Sequence, residues 1–130
     1  MITSGLVNVF TSDITRALDF YQGVLELPES FRTPVEGIPE HVEMTAGGFV
    51  LAASTAEAAK RVHGVDAEVG RAAMSIVFWV DDVDATFDRT TAAGASALTS
   101  PHDAGNGNRN AVVHDPDGTL VEFVSKRLDG

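Results

Sequence analysis

Leu6–Phe20, LVNVFTSDITRALDF, and Ser75–Arg89, SIVFWVDDVDATFDR, carry one pattern twice: an apolar strand, an acidic helix cap, then a helix. Asp13 falls over Asp82, Ile14 over Val83 and Leu18 over Phe87, at a constant offset of 69 residues. A carboxylate in that position accepts from the free N–H groups of the first helical turn, so the match is physical as well as alphabetic. The offset persists further on, where Phe49–Ser54 lies over Thr119–Phe123 at 69 or 70. Repetition on this scale means two copies of one supersecondary unit. The chain is therefore expected to be a single α+β domain, residues 1–130, built from two β-α-β-β-β modules. They span about 1–64 and 74–126, joined by an aperiodic linker at 65–73.

Local signals fill in each module. In the first, a strand at Gly5–Thr11 leads through Ser12 or Asp13 into a helix whose Ala17, Phe20, Tyr21 and Val24 share one stripe. Pro28, Pro34, Gly37 and Pro39 predict a connecting loop over Leu27–Glu40, with one irregular strand around Phe31. Gly47-Gly48 predicts a hairpin of His41–Ala46 with Phe49–Ser54, and the capping-box match Ser54-Thr55-Ala56-Glu57 opens a helix to His63, stopped by Gly64. In the second, Met74–Val80, with Ile76, Val77, Phe78, Trp79 and Val80 apolar in succession, predicts a central strand covered on both faces. A helix Val83–Ala93 ends at Gly94, Ala95–Thr99 is a further strand, and Pro101–Asn108 is loop, with Asn106-Gly107-Asn108 as a turn. The last hairpin turns at Asp115-Pro116-Asp117-Gly118, and Lys126–Gly130 is a tail. Its second strand carries Glu122 between Val121 and Phe123, an acid that needs a wet cavity or a partner.

Composition limits the function classes. The chain has no cysteine, which excludes disulfides, thiolate metal sites and a cysteine nucleophile. A net charge of −10 repels nucleic acid and anionic membranes, so neither is expected as a partner. No apolar run is long enough to span a bilayer, and MITSGLVNVF lacks the basic region of a signal peptide, so a soluble cytoplasmic protein is expected. No Ser-His-Asp order, nucleotide fingerprint or zinc spacing appears.

Three segments, SDITRALDFYQGVLEL (Ser12–Leu27), FWVDDVDATFDRTTAAGA (Phe78–Ala95) and DPDGTLVEF (Asp115–Phe123), make the sequence resemble the vicinal oxygen chelate superfamily. That group includes glyoxalase I, the bleomycin and fosfomycin resistance proteins and the extradiol dioxygenases. The resemblance implies that the two modules curl into a cup of mostly antiparallel sheet and that the protein is a homodimer. It also implies where a metal would be held: a His or Gln early in the first strand of each module and a Glu late in the last. Those positions are here Leu6, Ser75, Ala52 or Ala53, and Glu122. One carboxylate and no imidazole would hold a divalent ion mainly through water. No cofactor is expected, beyond at most a weakly held divalent metal.

Strand alternation sorts the side chains by face. If the ligand positions face inward, so do Asn8, Phe10, Phe49, Leu51, Ala53, Ser75, Val77, Trp79, Leu120, Glu122 and Val124. Val7, Val9, Val50, Ile76, Phe78, Val80, Val121 and Phe123 then form the core under the helices. Aromatic walls with a few polar points suit a small-molecule site. Asn8, Phe10, Phe49, Leu51, Ser75, Val77, Trp79, Arg109, Leu120 and Glu122 are the candidate ligand contacts, and Glu122 is the candidate catalytic residue. Arg109 is a candidate for an anion or carbonyl; His114 has the opposite parity, so at most one of the two faces the cavity. His41 with Glu43 reads as an i, i+2 metal pair or as a rim or surface pair, and His63 and His102 carry no functional signal. The function expected first is metal-independent binding of an aromatic or polycyclic small molecule. The alternative is a lyase, isomerase or dioxygenase-like enzyme with Glu122 as acid/base or sole metal ligand.

Overall fold

Asp13 and Asp82 cap their helices from extended backbone, Asp13 Oδ1 accepting from Arg16 N at 3.1 Å and Asp82 Oδ1 from Ala85 N at 3.0 Å. Each cap turns a strand into the helix that covers it, once per half of the chain. The structure is a computed structural model that describes residues 1, 4–70, 74–105 and 107–126. The expected linker's 71–73, Asn106 of the expected turn and 127–130 of the expected tail lie outside the described residues. The chain divides into two units, Met1–Gly70 and Arg71–Gly130.

The first unit runs β1 (Val7–Thr11), α1 (Ile14–Leu18) continuing as a π-helical turn (Asp19–Val24), β2 (Glu29–Thr33), β3 (His41–Ala46), β4 (Phe49–Thr55) and α2 (Ala56–His63). Its sheet has the order β1-β4-β3-β2, with β1 parallel to β4 and the other pairs antiparallel. The second unit repeats this with β5 (Ser75–Trp79), α3 (Val83–Ala92), β6 (Ser96–Asp103), β7 (Asn108–His114) and β8 (Leu120–Lys126), ordered β5-β8-β7-β6 with β5 parallel to β8. The fold is α+β, two four-stranded, mostly antiparallel sheets with three α-helices among the described residues. No described helix is long and apolar enough to cross a membrane.

One face of each sheet is closed by apolar packing. In the first unit Val9, Val42, Met44, Leu51 and Ala53 are buried with Ile14, Ala17, Phe20 and Tyr21, whose two rings meet edge to face at 5.0 Å. In the second, Ile76, Ala111, Val113, Val121 and Phe123 are buried with Val83 and Thr90 of α3. The π turn lets Phe20 and Tyr21 both reach the sheet.

Several local expectations change. Ser75–Trp79 lies at the end of its sheet, not the centre; Ile76 is buried, but Val77 and Trp79 are exposed at 46% and 65%. The apolar succession Ile76–Trp79 thus covers a core on one side and opens on the other. The strand after α3 extends through Pro101 to Asp103, which edge position permits because Pro removes a donor that an edge strand can spare. Thr55, not Ser54, caps α2, accepting from Ala58 N at 3.1 Å.

The final turn is pinned from inside. Asp115, 5% exposed, accepts through Oδ1 from Asp117 N at 2.9 Å and Thr119 N at 2.8 Å, while Gly118, at φ 96, donates to the Asp115 carbonyl at 3.0 Å. Removing the acceptor orphans two backbone donors. Asp115→Ala is expected to lower unfolding free energy by about 1–3 kcal/mol and Asp115→Asn by less, as read by urea denaturation.

Candidate functional site

The face of the first sheet opposite α1 carries a row of polar side chains set by register. β1 pairs Asn8 with Ala52 and Phe10 with Ser54, and β3 pairs His41 with Ser54 and Glu43 with Ala52. These partners share a face, so Asn8, Ser54, His41 and Glu43 lie side by side across three strands. They form one hydrogen-bonded chain. Ser54 Oγ donates to Asn8 Oδ1 at 3.0 Å and lies 2.6 Å from His41 Nδ1, while His41 Nε2 lies 2.8 Å from Glu43 Oε2. Phe31 approaches the imidazole edge to face with centroids 6.3 Å apart.

α2 covers this row and leaves a pocket of about 370 Å³. Asn8, His41 and Ser54 line it on the sheet side; Phe10, Ala58, Ala59, Val62 and Val65 supply apolar wall, and Thr33, Glu40 and His63 the remainder. Glu40 is held by Arg61 of α2, which also reaches Glu57 at 3.1 Å. A carboxylate, an imidazole and a hydroxyl in sequence are the parts of an activated serine. Here Ser54 is 7% exposed, sits inside a central strand and spends its proton on Asn8, so the chain reads as a positioned wall of hydrogen-bonding groups.

On the second unit the equivalent face holds three rows: Ser75, Leu120 and His114; Val77, Glu122 and Val112; Trp79, Val124 and Asn110. Asn110 Nδ2 donates to Glu122 Oε1 at 2.8 Å, so Glu122 has a partner. Asn110 Oδ1 is buried without one among the described residues.

The structure therefore brings Asn8 and Phe10 together on one face, and Ser75, Val77, Trp79, Leu120 and Glu122 on the other. Three candidates fall elsewhere. Phe49, Leu51 and also Ala53 lie on the closed face of the first sheet, because Leu51 pairs with Val7 and Ala53 with Val9; Leu51 is fully buried, and Val50 has the opposite parity. Arg109 lies on the α3 side, pairing with Ser125, and is clamped by Asp84 at 2.5 and 2.8 Å and Asp103 at 3.1 Å. Those hydrogen bonds raise the Arg109 pKa and hold Asp84 below its ordinary 3.8.

Ser54 is the site residue that sequence reading missed, because the capping-box match claimed it. The signal was present: counting back from Gly47-Gly48 pairs Ala46 with Phe49 and hence His41 with Ser54.

A sequence profile of the Glyoxalase/Bleomycin resistance protein/Dioxygenase superfamily matches residues 3–123, spanning both units. The chain belongs to that superfamily. Among solved structures it is similar to TioX from Micromonospora sp. ML1, with 28% identity, 96% of this chain and 100% of that one covered, and a TM-score of 0.76. SA1046, a hypothetical protein from S. aureus, superposes with a TM-score of 0.81 at 20% identity, covering 96% and 95% of the two chains. The fosfomycin resistance protein FosX from Listeria monocytogenes gives 0.73 at 17%, covering 99% and 98%. The last two show the fold alone. No curated protein matches the sequence.

The superfamily's metal positions are fixed by the register. Glu122 pairs with Val77 and Ala52 with Asn8, so Ala52, not Ala53, is the counterpart of Glu122. Leu6 and Ala52 offer no side-chain donor, Ser75 a hydroxyl, and Glu122 a carboxylate already hydrogen-bonded to Asn110. That donor set does not fit a divalent cation. Among the described residues no three His, Asp or Glu side chains cluster to hold one, His41 and Glu43 included.

Because Arg109 is engaged with α3, Arg109→Gln is expected to leave ligand binding unchanged while altering acid stability. A carboxyl whose folded pKa is depressed adds stability above its ordinary value and loses it as pH falls. The decline below about pH 3.8 should therefore be shallower in the variant, measured by denaturant unfolding across pH.

Proposed function

We propose that the protein is a metal-independent small-molecule-binding protein of the glyoxalase/bleomycin-resistance type, a cytoplasmic homodimer that sequesters a planar aromatic or polycyclic ligand. One observation carries the reading: the pocket between α2 and the first sheet has an aromatic and aliphatic wall against a prearranged row of Asn8, Ser54 and His41. Apolar enclosure with a few oriented polar groups is how small ligands are held. The exposed Trp79 and Val77 on the second unit add an apolar surface with one aromatic ring. The dimer follows from superfamily habit, and the unfit donor set supports metal independence.

Titrating a panel of aromatic natural products while following thermal stability and the fluorescence of Trp79, the single tryptophan, tests this. A member of the panel should raise the melting temperature, and Phe10→Ala should weaken it about tenfold, the value of roughly 1.4 kcal/mol of lost contact. No shift with any compound would overturn the reading.

A second reading is enzymatic, and one observation favours it: Glu122 shares the open face of the second sheet with Asn110, whose Oδ1 is buried and has no partner among the described residues. A ligand donor seated there would meet a carboxylate placed for acid–base work. On this reading Glu122→Gln abolishes turnover of a carbonyl substrate while binding survives; equal turnover rates in the two proteins would end it.

A further inference from the structure

The four-residue chain on the first sheet has one proton too few to be drawn in only one way. A carboxylate accepts only, so one proton lies between Glu43 Oε2 and His41 Nε2 whatever the state of the ring. Ser54 has a single hydroxyl proton and two neighbours, His41 Nδ1 and Asn8. In the observed arrangement that proton goes to Asn8 Oδ1, so Ser54 Oγ must accept from His41, and Nδ1 carries a proton as well. The His41–Glu43 pair is then charged with one extra proton. Remove it, and the Nδ1 lone pair claims the Ser54 hydroxyl; Ser54 Oγ can then only accept, and Asn8 must turn its amide over to donate through Nδ2.

The far end of Asn8 reverses with it. Asn8 lines the pocket, and its amide nitrogen makes no hydrogen bond with any described residue in the observed arrangement. With the extra proton the pocket is offered an N–H donor; without it, a C=O acceptor. We infer that this pocket selects its ligand by hydrogen-bond polarity, taking an aromatic carbonyl compound together with a proton and an aromatic N–H donor with release of one. The inference rests on the proposed binding role and names the ligand class for it.

The groups that face His41 come from its own strand and from every element packed against it. On its own strand Glu43 faces it directly, and Glu40 just before is tied to Arg61 of α2. From α2, His63 lines the same pocket. β1 and β4 contribute only the neutral Asn8 and Ser54, and β2 the neutral Phe31 and Thr33. Glu29 and Arg32, paired at 2.7 Å, belong to each other, with Glu29 held at about 2 by the guanidinium of Arg32 and the amide of Gln22.

1-Indanone and indole share a bicyclic frame and differ in polarity, one an acceptor and the other a donor. Their affinities, measured by NMR titration at about pH 5.5 and pH 8.5, bracket the range in which histidines change charge. Affinity for 1-indanone should rise about fivefold at the lower pH and that for indole fall by a similar factor, the value of one hydrogen bond. Calorimetry in two buffers of different ionisation enthalpy should show proton uptake with 1-indanone. In His41→Gln both pH dependences should vanish, whereas His63→Gln should keep them. Binding of both probes without pH dependence, or dependence that survives His41→Gln, overturns the inference and leaves the binding role standing. Absence of binding at either pH overturns both.

Discussion

The parallel pairing of the first and last strand of each unit is the constraint on which the site depends. In the antiparallel pairs a short turn fixes register, but β1 meets β4, and β5 meets β8, only after the rest of the unit has been laid down. A slip of one residue in that pairing would exchange every side chain between the closed and open faces. Asn8 would leave Ser54, and Val9 would leave the core. The same contact that completes the apolar core thus sets the polar row, and the cap at Asp13 or Asp82, which turns the chain straight from the strand into the helix, leaves that strand no freedom to slip.

How much of this was legible follows from which interactions are local. Caps at Asp13 and Asp82, the left-handed stop at Gly64 and the Asp115–Gly118 turn are each written within five residues, and all are found in place. The two-unit repeat was legible because both copies kept the same local signals. Pairing across the sheet was harder. The offset ambiguity of 69 or 70 in β4 put Leu51 on the wrong face, since parity has no tolerance for an error of one. Arg109 was misplaced for a different reason: its parity relative to His114 was right, but a guanidinium could equally answer carboxylates on α3, and nothing local announces a partner 25 residues away.

The two units use the same scaffold for different surfaces. The first has α2 over its open face and a polar row with every member bonded. The second carries an exposed indole at the position of Phe10, a carboxylate at the position of Ala52, and Asn110 where the first has His41. The closed faces of the two units are alike in being apolar, where packing tolerates little change, and the open faces differ, where a side chain alters only what can bind.

Divergence at the metal positions bears on what kind of chemistry remains. Glu122 keeps its acid but answers Asn110, and the opposite unit has Ala52 at that point. A residue stripped of its co-ligands would be a buried liability unless something else satisfied it. The Asn110 amide does so through Nδ2, while its Oδ1 has no partner among the described residues. On the first unit the same face is arranged differently: Ser54, His41 and Glu43 satisfy one another in a hydrogen-bonded chain across β4 and β3. Each hydroxyl and amide in such a chain can donate or accept. Among the described residues no set of His, Asp or Glu donors gathers to hold a cation, and what the first unit presents on its open face is a series of hydrogen bonds through Ser54, His41 and Glu43.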